Sequence, residues 1–187
     1  KKAEENSEDA MKGKADENNE ISTFVADAQK AKVQSVLDLS DAGGDNILHM
    51  CSTSGQNKLL FDICASEKLS DMNIETALMA KNSKGRSALD LCRDEETILK
   101  ILDRFDIVAY IKQNGTDFQG KNIFHHYAKQ DCKKAIGLLI KRLPEEEAMA
   151  MICQESTTNK SNVFMTSAIH GSGKTLELLL NFASIFE

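Results

Sequence analysis

The stretch GKNIFHHYAKQD (residues 120–131) has three counterparts in the chain that align with it without gaps. They read GDNILHMCSTSG (44–55), GRSALDLCRDEE (85–96) and KSNVFMTSAIHG (160–171). Each motif starts with Gly or Lys and has Asn or Ser two residues later, followed by a small or β-branched apolar residue and then Leu or Phe. The starts lie 41, 35 and 40 residues apart. Self-similarity at such intervals is the sequence signature of a repeat architecture.

Five segments carry apolar residues at the i, i+3, i+4 spacing of an amphipathic helix. They are residues 24–39, 57–69, 96–105, 133–143 and 175–186. Helices this short cannot bury an apolar face alone, so neighbouring units must pack against each other. With one proline among 187 residues, the chain has too few turn signals for an all-β sandwich or barrel. The sequence therefore predicts an all-α protein.

The motifs resemble the ankyrin-repeat family, whose repeat of about 33 residues carries Thr-Pro-Leu-His at the start of its first helix. Here the quartets start at Asn46, Ser87, Asn122 and Asn162 and read NILH, SALD, NIFH and NVFM. Proline is missing from all four, but Asn or Ser can cap a helix as threonine would, by accepting a backbone hydrogen bond. The resemblance implies an ankyrin-like helical repeat solenoid over residues 21–187. It would contain about four repeats, starting near 44, 85, 120 and 160, plus a partial N-terminal repeat at 24–39.

Two of the intervals exceed the standard repeat by about seven or eight residues. Both surpluses follow a predicted second helix, at SDMNIETALMA (70–80) and LPEEEAMAMIC (143–153). Acidic residues, and in the second case Pro144, stand where a helix would begin. We therefore expect each insertion to add one short helical turn.

Composition limits the class of partner and the compartment. The chain carries 29 acidic and 23 basic residues, a formal charge of −6, which argues against a nucleic-acid partner. No apolar run approaches the roughly 20 residues that span a bilayer, so direct membrane insertion is not expected. Five cysteines without a C-x-x-C pair predict no metal site and a reducing compartment, the cytoplasm or alternatively the nucleus. Residues 1–20 have almost no apolar surface and are predicted to form a disordered acidic linker.

Residues 168–175, AIHGSGKT, satisfy a relaxed phosphate-loop pattern in which alanine replaces the first glycine. In this alternative Gly171, Gly173, Lys174 and Thr175 would bind a nucleotide, with Lys174 on the phosphates and Thr175 on Mg²⁺. The motif register instead places Gly171 in a turn between two helices, as it does Gly55. Twelve residues follow Thr175 in this sequence, too few for the sheet and second acidic site of such an enzyme. We therefore predict no cofactor and no catalysis, with a nucleotide-binding protein as the alternative.

The histidines and cysteines allow a second catalytic hypothesis, a nucleophile formed by Cys132 with His125 or His126. By the resemblance, however, His49 and His125 occupy the histidine position of the ankyrin quartet, whose side chain hydrogen-bonds at the start of the first helix. The cysteines lie on apolar stripes beside Leu, Ile and Met, as small buried residues do. A structural role is therefore predicted for both residue types.

The resemblance also implies a partner-binding surface, since ankyrin arrays contact partners through hairpin tips and the concave face of their first helices. Carried over by position, this surface comprises Met50, Arg86, Leu91, Phe118, Lys121, His126, Lys129, Ile169 and His170. Phe118 stands at a predicted tip, where an aromatic side chain either anchors a partner or folds back against Tyr110 or Ile111. The basic members of the surface would suit an acidic peptide.

These observations predict a non-catalytic protein–protein interaction module of a larger intracellular protein. It would bind another protein or a peptide segment, recognised by shape and a few anchoring side chains. An intramolecular regulatory role, with the array packed on another domain of its parent chain, is a further alternative.

Overall fold

The computed structural model describes residues 32, 35–67, 69 and 71–186. Contacts divide the chain into two parts, Lys1–Val36 and Leu37–Glu187. The predicted linker (1–20) lies outside the described residues, as does most of the predicted helix and partial repeat at 24–39. All helices named below belong to the second part.

This second part is built from helices, as predicted, and no β-strand occurs among its described residues. The α-helices are α1 (Ile47–Thr53), α2 (Asn57–Cys64), α3 (Asp71–Met79), α4 (Ala88–Leu91), α5 (Glu95–Arg104), α6 (Ile107–Asn114), α7 (Ile123–Lys129), α8 (Lys133–Arg142), α9 (Glu145–Cys153), α10 (Val163–His170) and α11 (Gly173–Ala183). A 3₁₀ turn (Ser184–Phe186) follows α11. Among the described helices, none is both long and apolar enough to cross a bilayer.

The helices fall into four modules, each of which starts with a turn followed by a first, a second and a third helix. The modules are 41–79, 82–114, 117–153 and 156–186, and the 3₁₀ turn takes the third place in module 4. First helices contact one another in chain order, α1 to α4 to α7 to α10. Second helices do the same, α2 to α5 to α8 to α11. The apolar core lies between these two rows, where Leu48, Leu60, Phe124, Leu139 and Leu179 are fully buried.

The predicted helix starts are confirmed, because the first residue of each quartet is the N-cap of a first helix. Each cap side chain accepts a hydrogen bond from the backbone N–H three residues later, at 3.0–3.3 Å. The caps also reach the third helix of their own module. The amide of Asn46 donates to the Ala77 carbonyl in α3 at 2.8 Å, and that of Asn122 donates to Met151 in α9 at 2.8 Å. In module 2 the shorter Ser87 side chain instead bonds the Tyr110 hydroxyl of α6.

The third helices correct the expectation about the insertions. Helices α3 and α9 lie where the insertions were predicted, but each has nine residues instead of a single turn. Module 2 also has a third helix, α6, which the sequence analysis missed. It escaped notice because the interval between the second and third motifs is close to the standard repeat length.

A shortened first helix accounts for three of the residues by which the interval of module 2 is shorter than the others. In the other three modules the second helix begins eleven residues after the N-cap, whereas α5 begins eight residues after Ser87. Helix α4 has only four residues, against seven or eight in α1, α7 and α10. The gap-free alignment of residues 85–96 is therefore wrong beyond Leu91, where three residues are missing.

Candidate functional site

Asp41, Asn82 and Asp117 shape the turns that precede the first helices. In each turn the Oδ1 atom of this residue accepts backbone N–H groups two and four residues later, at 2.8–3.1 Å. In module 4 Asn159 acts from inside the turn, where its Oδ1 accepts the Ser161 hydroxyl at 2.7 Å. Polar side chains thus hold the backbone of each turn in one shape.

Backbone hydrogen bonds join each turn to the next. Ser83 N–H donates to the Gly43 carbonyl at 2.8 Å, Phe118 N–H to Lys84 at 3.2 Å, and Thr157 N–H to Gln119 at 2.8 Å. The turn tips therefore form one continuous row. We call this row, together with the exposed sides of the first helices, the turn face.

His49 and His125 connect each first helix to the turn of the next module. In both, Nδ1 accepts the N–H of the N-cap residue at 3.3 Å. The Nε2 atom of His49 donates to the Arg86 carbonyl at 3.0 Å, and that of His125 donates to Ser161 at 3.2 Å. The structural role predicted for these histidines is confirmed, and it extends to the contact between modules.

Burial gives His125 a pH-dependent effect on stability. Burial is the largest cause that lowers the pKa of His125 from its ordinary 6.5, and the nearby His126 and Lys121 lower this pKa further. The Ser161 carbonyl and Asp117 raise it, but only in part. The unfolded chain therefore binds a proton more readily than the folded one, so this contribution is complete above about pH 6.5 and is lost as the pH falls below it. The pKa of Asp117 is lowered from 3.8, so its contribution to stability is lost only in stronger acid.

We expect the melting temperature to decrease as the pH falls from about 7.5 to about 5.5. In His125→Gln, whose side chain does not titrate, the decrease should be smaller, although the variant is less stable at every pH. Thermal melts followed by circular dichroism at matched ionic strength would measure the slope of melting temperature against pH for both proteins. Equal slopes would show that His125 does not cause the effect.

A cleft of about 110 Å³ opens on the turn face between modules 3 and 4. Its lining comes from three turns and from helices α7 and α10. The lining residues are Arg86, Asp117, Gln119, Lys121, His125, His126, Lys129, Asn159, Ser161, Thr166, Ile169 and His170. Sites for drug-sized ligands usually enclose roughly 300–1,000 Å³, so this cleft suits a single side chain better than a nucleotide.

One wall of the cleft holds a buried carboxylate and imidazole. The Oδ2 atom of Asp117 lies 3.5 Å from Nε2 of His126, which has no hydrogen-bond partner among the described residues. Burial alone would raise the pKa of Asp117, but His126 and the N–H groups of Lys121 and Gln119 outweigh it and hold the pKa below its ordinary value. Asp117 is therefore a carboxylate at neutral pH, stabilised by His126 and by two N–H groups of its own turn.

The open side of the cleft is basic. Arg86, Lys121 and Lys129 contribute three cations, and His170 lies beside them. None of these four side chains makes a salt bridge within the described part of the chain. Lys121 only donates to the side-chain oxygen of Gln119, at 3.0 Å. The cations are thus available to an incoming anion.

The structure brings six of the nine predicted partner-binding residues together at this cleft. They are Arg86, Lys121, His126, Lys129, Ile169 and His170. Met50 is exposed on α1, and Phe118 is 75% exposed at its turn tip, so it does not fold back into the core. Leu91 departs from the expectation, since it is only 9% exposed. The one-turn helix α4 contacts α1, α3 and α7, which leaves its leucine no open face.

The segment that matches a phosphate loop has the geometry of a turn between helices. Helix α10 runs to His170 where a phosphate loop needs a strand, and Gly171 ends it in the left-handed conformation, with φ +70°. Gly173 starts α11 and Lys174 is exposed. Thr175 is fully buried, and its N–H donates to the Asp131 carboxylate at 2.9 Å. The Thr175 N–H is therefore already bonded to a carboxylate of the protein.

Four of the five cysteines are buried, which agrees with the predicted core role. Burial raises the pKa of Cys132 to about 12 and that of Cys92 to about 11, so neither thiol supplies a thiolate at neutral pH. The Cys132 thiol points to the Gln130 carbonyl, at 4.0 Å, and His125 is engaged elsewhere. Among the described residues, no group of three or more His, Cys, Asp or Glu side chains is arranged to hold a metal ion.

Sequence analysis did not single out Asp117 or Ser161 as cleft residues. A signal for Asp117 was present, because Asp or Asn stands five residues before the N-cap in modules 1 to 3. Ser161 lines the cleft only because two turns pack side by side.

Neither protein-family models nor curated proteins match this chain. The resemblance to ankyrin repeats is therefore carried by the four quartets and their spacing alone.

Proposed function

We propose that this chain is an ankyrin-like helical solenoid that acts as a non-catalytic module for binding another protein. Its partner is a protein or peptide segment, from a separate molecule or from another region of a longer parent chain. The module presents a prearranged surface and makes or breaks no bond. Binding to such a surface saves much of the ordering entropy that a flexible binder would lose.

The observation that supports this proposal is the row of hydrogen-bonded turns on one side of the first helices. The same turns and first helices carry the basic cleft and three exposed apolar side chains, Met50 on α1, Phe118 in the turn of module 3 and Ile169 on α10. Phe118 contributes a 75% exposed ring at the row's edge. Exposed aromatic side chains surrounded by polar groups are common anchors in protein interfaces.

Phe118→Asp is expected to weaken partner binding about tenfold or more, because it replaces an apolar anchor by a charge. The measurement is a quantitative pull-down from cell extract with wild-type protein, Phe118→Asp and a matched control. Leu59→Asp is the control, since Leu59 is 48% exposed on α2, a second helix.

The controls separate binding from folding. Helicity should match the wild type in both variants, because Phe118 is largely and Leu59 about half in solvent. Partners that bind Phe118→Asp as well as wild type but are lost from Leu59→Asp would place the interface on the second helices and contradict the turn-face proposal.

A further inference from the structure

We propose that the cleft between modules 3 and 4 binds the carboxylate of an aspartate or glutamate in an extended acidic segment of the partner. The inference rests on the proposed function and adds the chemistry of the ligand. Its grounds are the charge, the unsatisfied imidazole and the size of the cleft.

Charge is the first ground. Arg86, Lys121 and Lys129 approach the cleft from two turns and from the end of α7, so their cations converge from different elements. Repulsion among like charges makes such an arrangement unfavourable in the free protein, and an anion between them would relieve it. Asp117 does not neutralise them fully, because it supplies one negative charge against three positive ones.

The imidazole of His126 is the second ground. This residue is only 9% exposed, and its Nε2 lacks a hydrogen-bond partner among the described residues although it lies at the cleft wall. Buried polar atoms are nearly always hydrogen-bonded, and an unsatisfied one requires an explanation. A carboxylate bound in the cleft would offer this atom an acceptor in addition to Asp117 Oδ2, which at 3.5 Å is too distant for a full hydrogen bond.

Size and flanking groups select the ligand. A cavity of about 110 Å³ has room for several waters or for the end of an acidic side chain. Ile169, 67% exposed at the rim, offers apolar contact to the neighbouring residue of the same segment.

The test starts with selection of peptides from a random phage-displayed library on the intact chain. Peptides from wild-type selections should be enriched in Asp or Glu, and those from selections on Arg86→Glu/Lys129→Glu should be enriched in Lys or Arg. Neither side chain makes a hydrogen bond or salt bridge with another described residue, and circular dichroism melts would verify that both proteins are folded. Lys141→Glu, an exposed lysine on α8, is the matched control and should select the wild-type peptides.

A selected peptide is then labelled and measured by fluorescence polarisation. Replacing its acidic residue by Gln or Asn, or Lys129 of the protein by Gln, should each weaken binding about tenfold, as expected for one charge-assisted hydrogen bond. Phosphoserine at the acidic position should bind no tighter than the carboxylate. A clearly tighter phosphoserine peptide would overturn the carboxylate assignment in favour of a phosphate.

The outcomes distinguish the two proposals. Peptides without acidic residues that still require Phe118 would overturn the cleft assignment and leave the interaction module standing. Identical acidic peptides from wild type and the double variant would also overturn it. If no peptide is enriched on the wild-type chain, peptide recognition by the turn face fails, and the cleft assignment fails with it.

Discussion

Replacing Gly120 with alanine is expected to lower the free energy of unfolding by about 2–5 kcal/mol, through backbone strain and overpacking together. Gly120 has φ +72°, a conformation that favours glycine. A Cβ atom there would lie 2.8 Å from the backbone nitrogen of Thr157 in the next turn. Since Thr157 N–H bonds the carbonyl of Gln119, the collision cannot be relieved without breaking the link between turns.

Gly171→Ala is the matched control for this variant. Gly171 has φ +70°, almost the same backbone conformation, but an added Cβ would meet nothing within 4 Å. Its replacement should cost only the strain of a left-handed residue, about 1–2 kcal/mol. Urea unfolding followed by circular dichroism would measure both losses. Equal losses in the two variants would mean that the packing of turn on turn contributes nothing.

Module 4 has a residue other than glycine at this turn position. Lys160 occupies the position of the turn glycines and has φ +55°. Among the described residues no further turn packs on this one, so the Cβ of Lys160 has no neighbouring turn to meet there. The glycine is therefore needed where one turn packs on the next.

His125→Ala is expected to cost about 2–4 kcal/mol, since it leaves the buried Asn122 N–H without its acceptor and opens a cavity. It also removes the hydrogen bond to Ser161, one of the links between modules 3 and 4. His125→Gln should recover part of the loss, because glutamine at this position accepts the same N–H in a capping box.

The comparison for His125 is His170→Ala, at an exposed position on the turn face. This change should alter the free energy of unfolding by less than about 0.5 kcal/mol, as surface substitutions usually do. A His125→Ala variant as stable as His170→Ala would contradict the linking role of the buried histidine. Urea titration with the same circular dichroism signal would decide.

Local chemistry explains why the helix starts could be predicted. Asn46, Ser87, Asn122 and Asn162 accept the N–H three residues ahead, an interaction within one turn of chain. The second helices could also be predicted from sequence, because their apolar stripes follow the helical period. The predicted segment 133–143, for example, differs from α8 (Lys133–Arg142) by one residue.

Features that depend on residues far apart in the sequence were not predicted or were predicted wrongly. Leu91 resembles Met50 by position, yet α4 is enclosed by three other helices and its leucine is buried. Helix α6 did not lengthen the interval between motifs much beyond the standard repeat, in part because the first helix of its module, α4, is short. His126 was predicted at the surface, whereas the structure buries it beside Asp117, 3.5 Å away.

The sequence by itself determined the all-α class, the four helix starts and the basic residues of the turn face, because capping and amphipathic periodicity act over a few neighbouring residues. Tertiary structure decided the rest. It buried Leu91, opened the cleft between Asp117 and His170, and packed Gly44, Gly85 and Gly120 closely against the next turn. Those outcomes depend on side chains about forty residues apart, whose distances arise only when the modules stack.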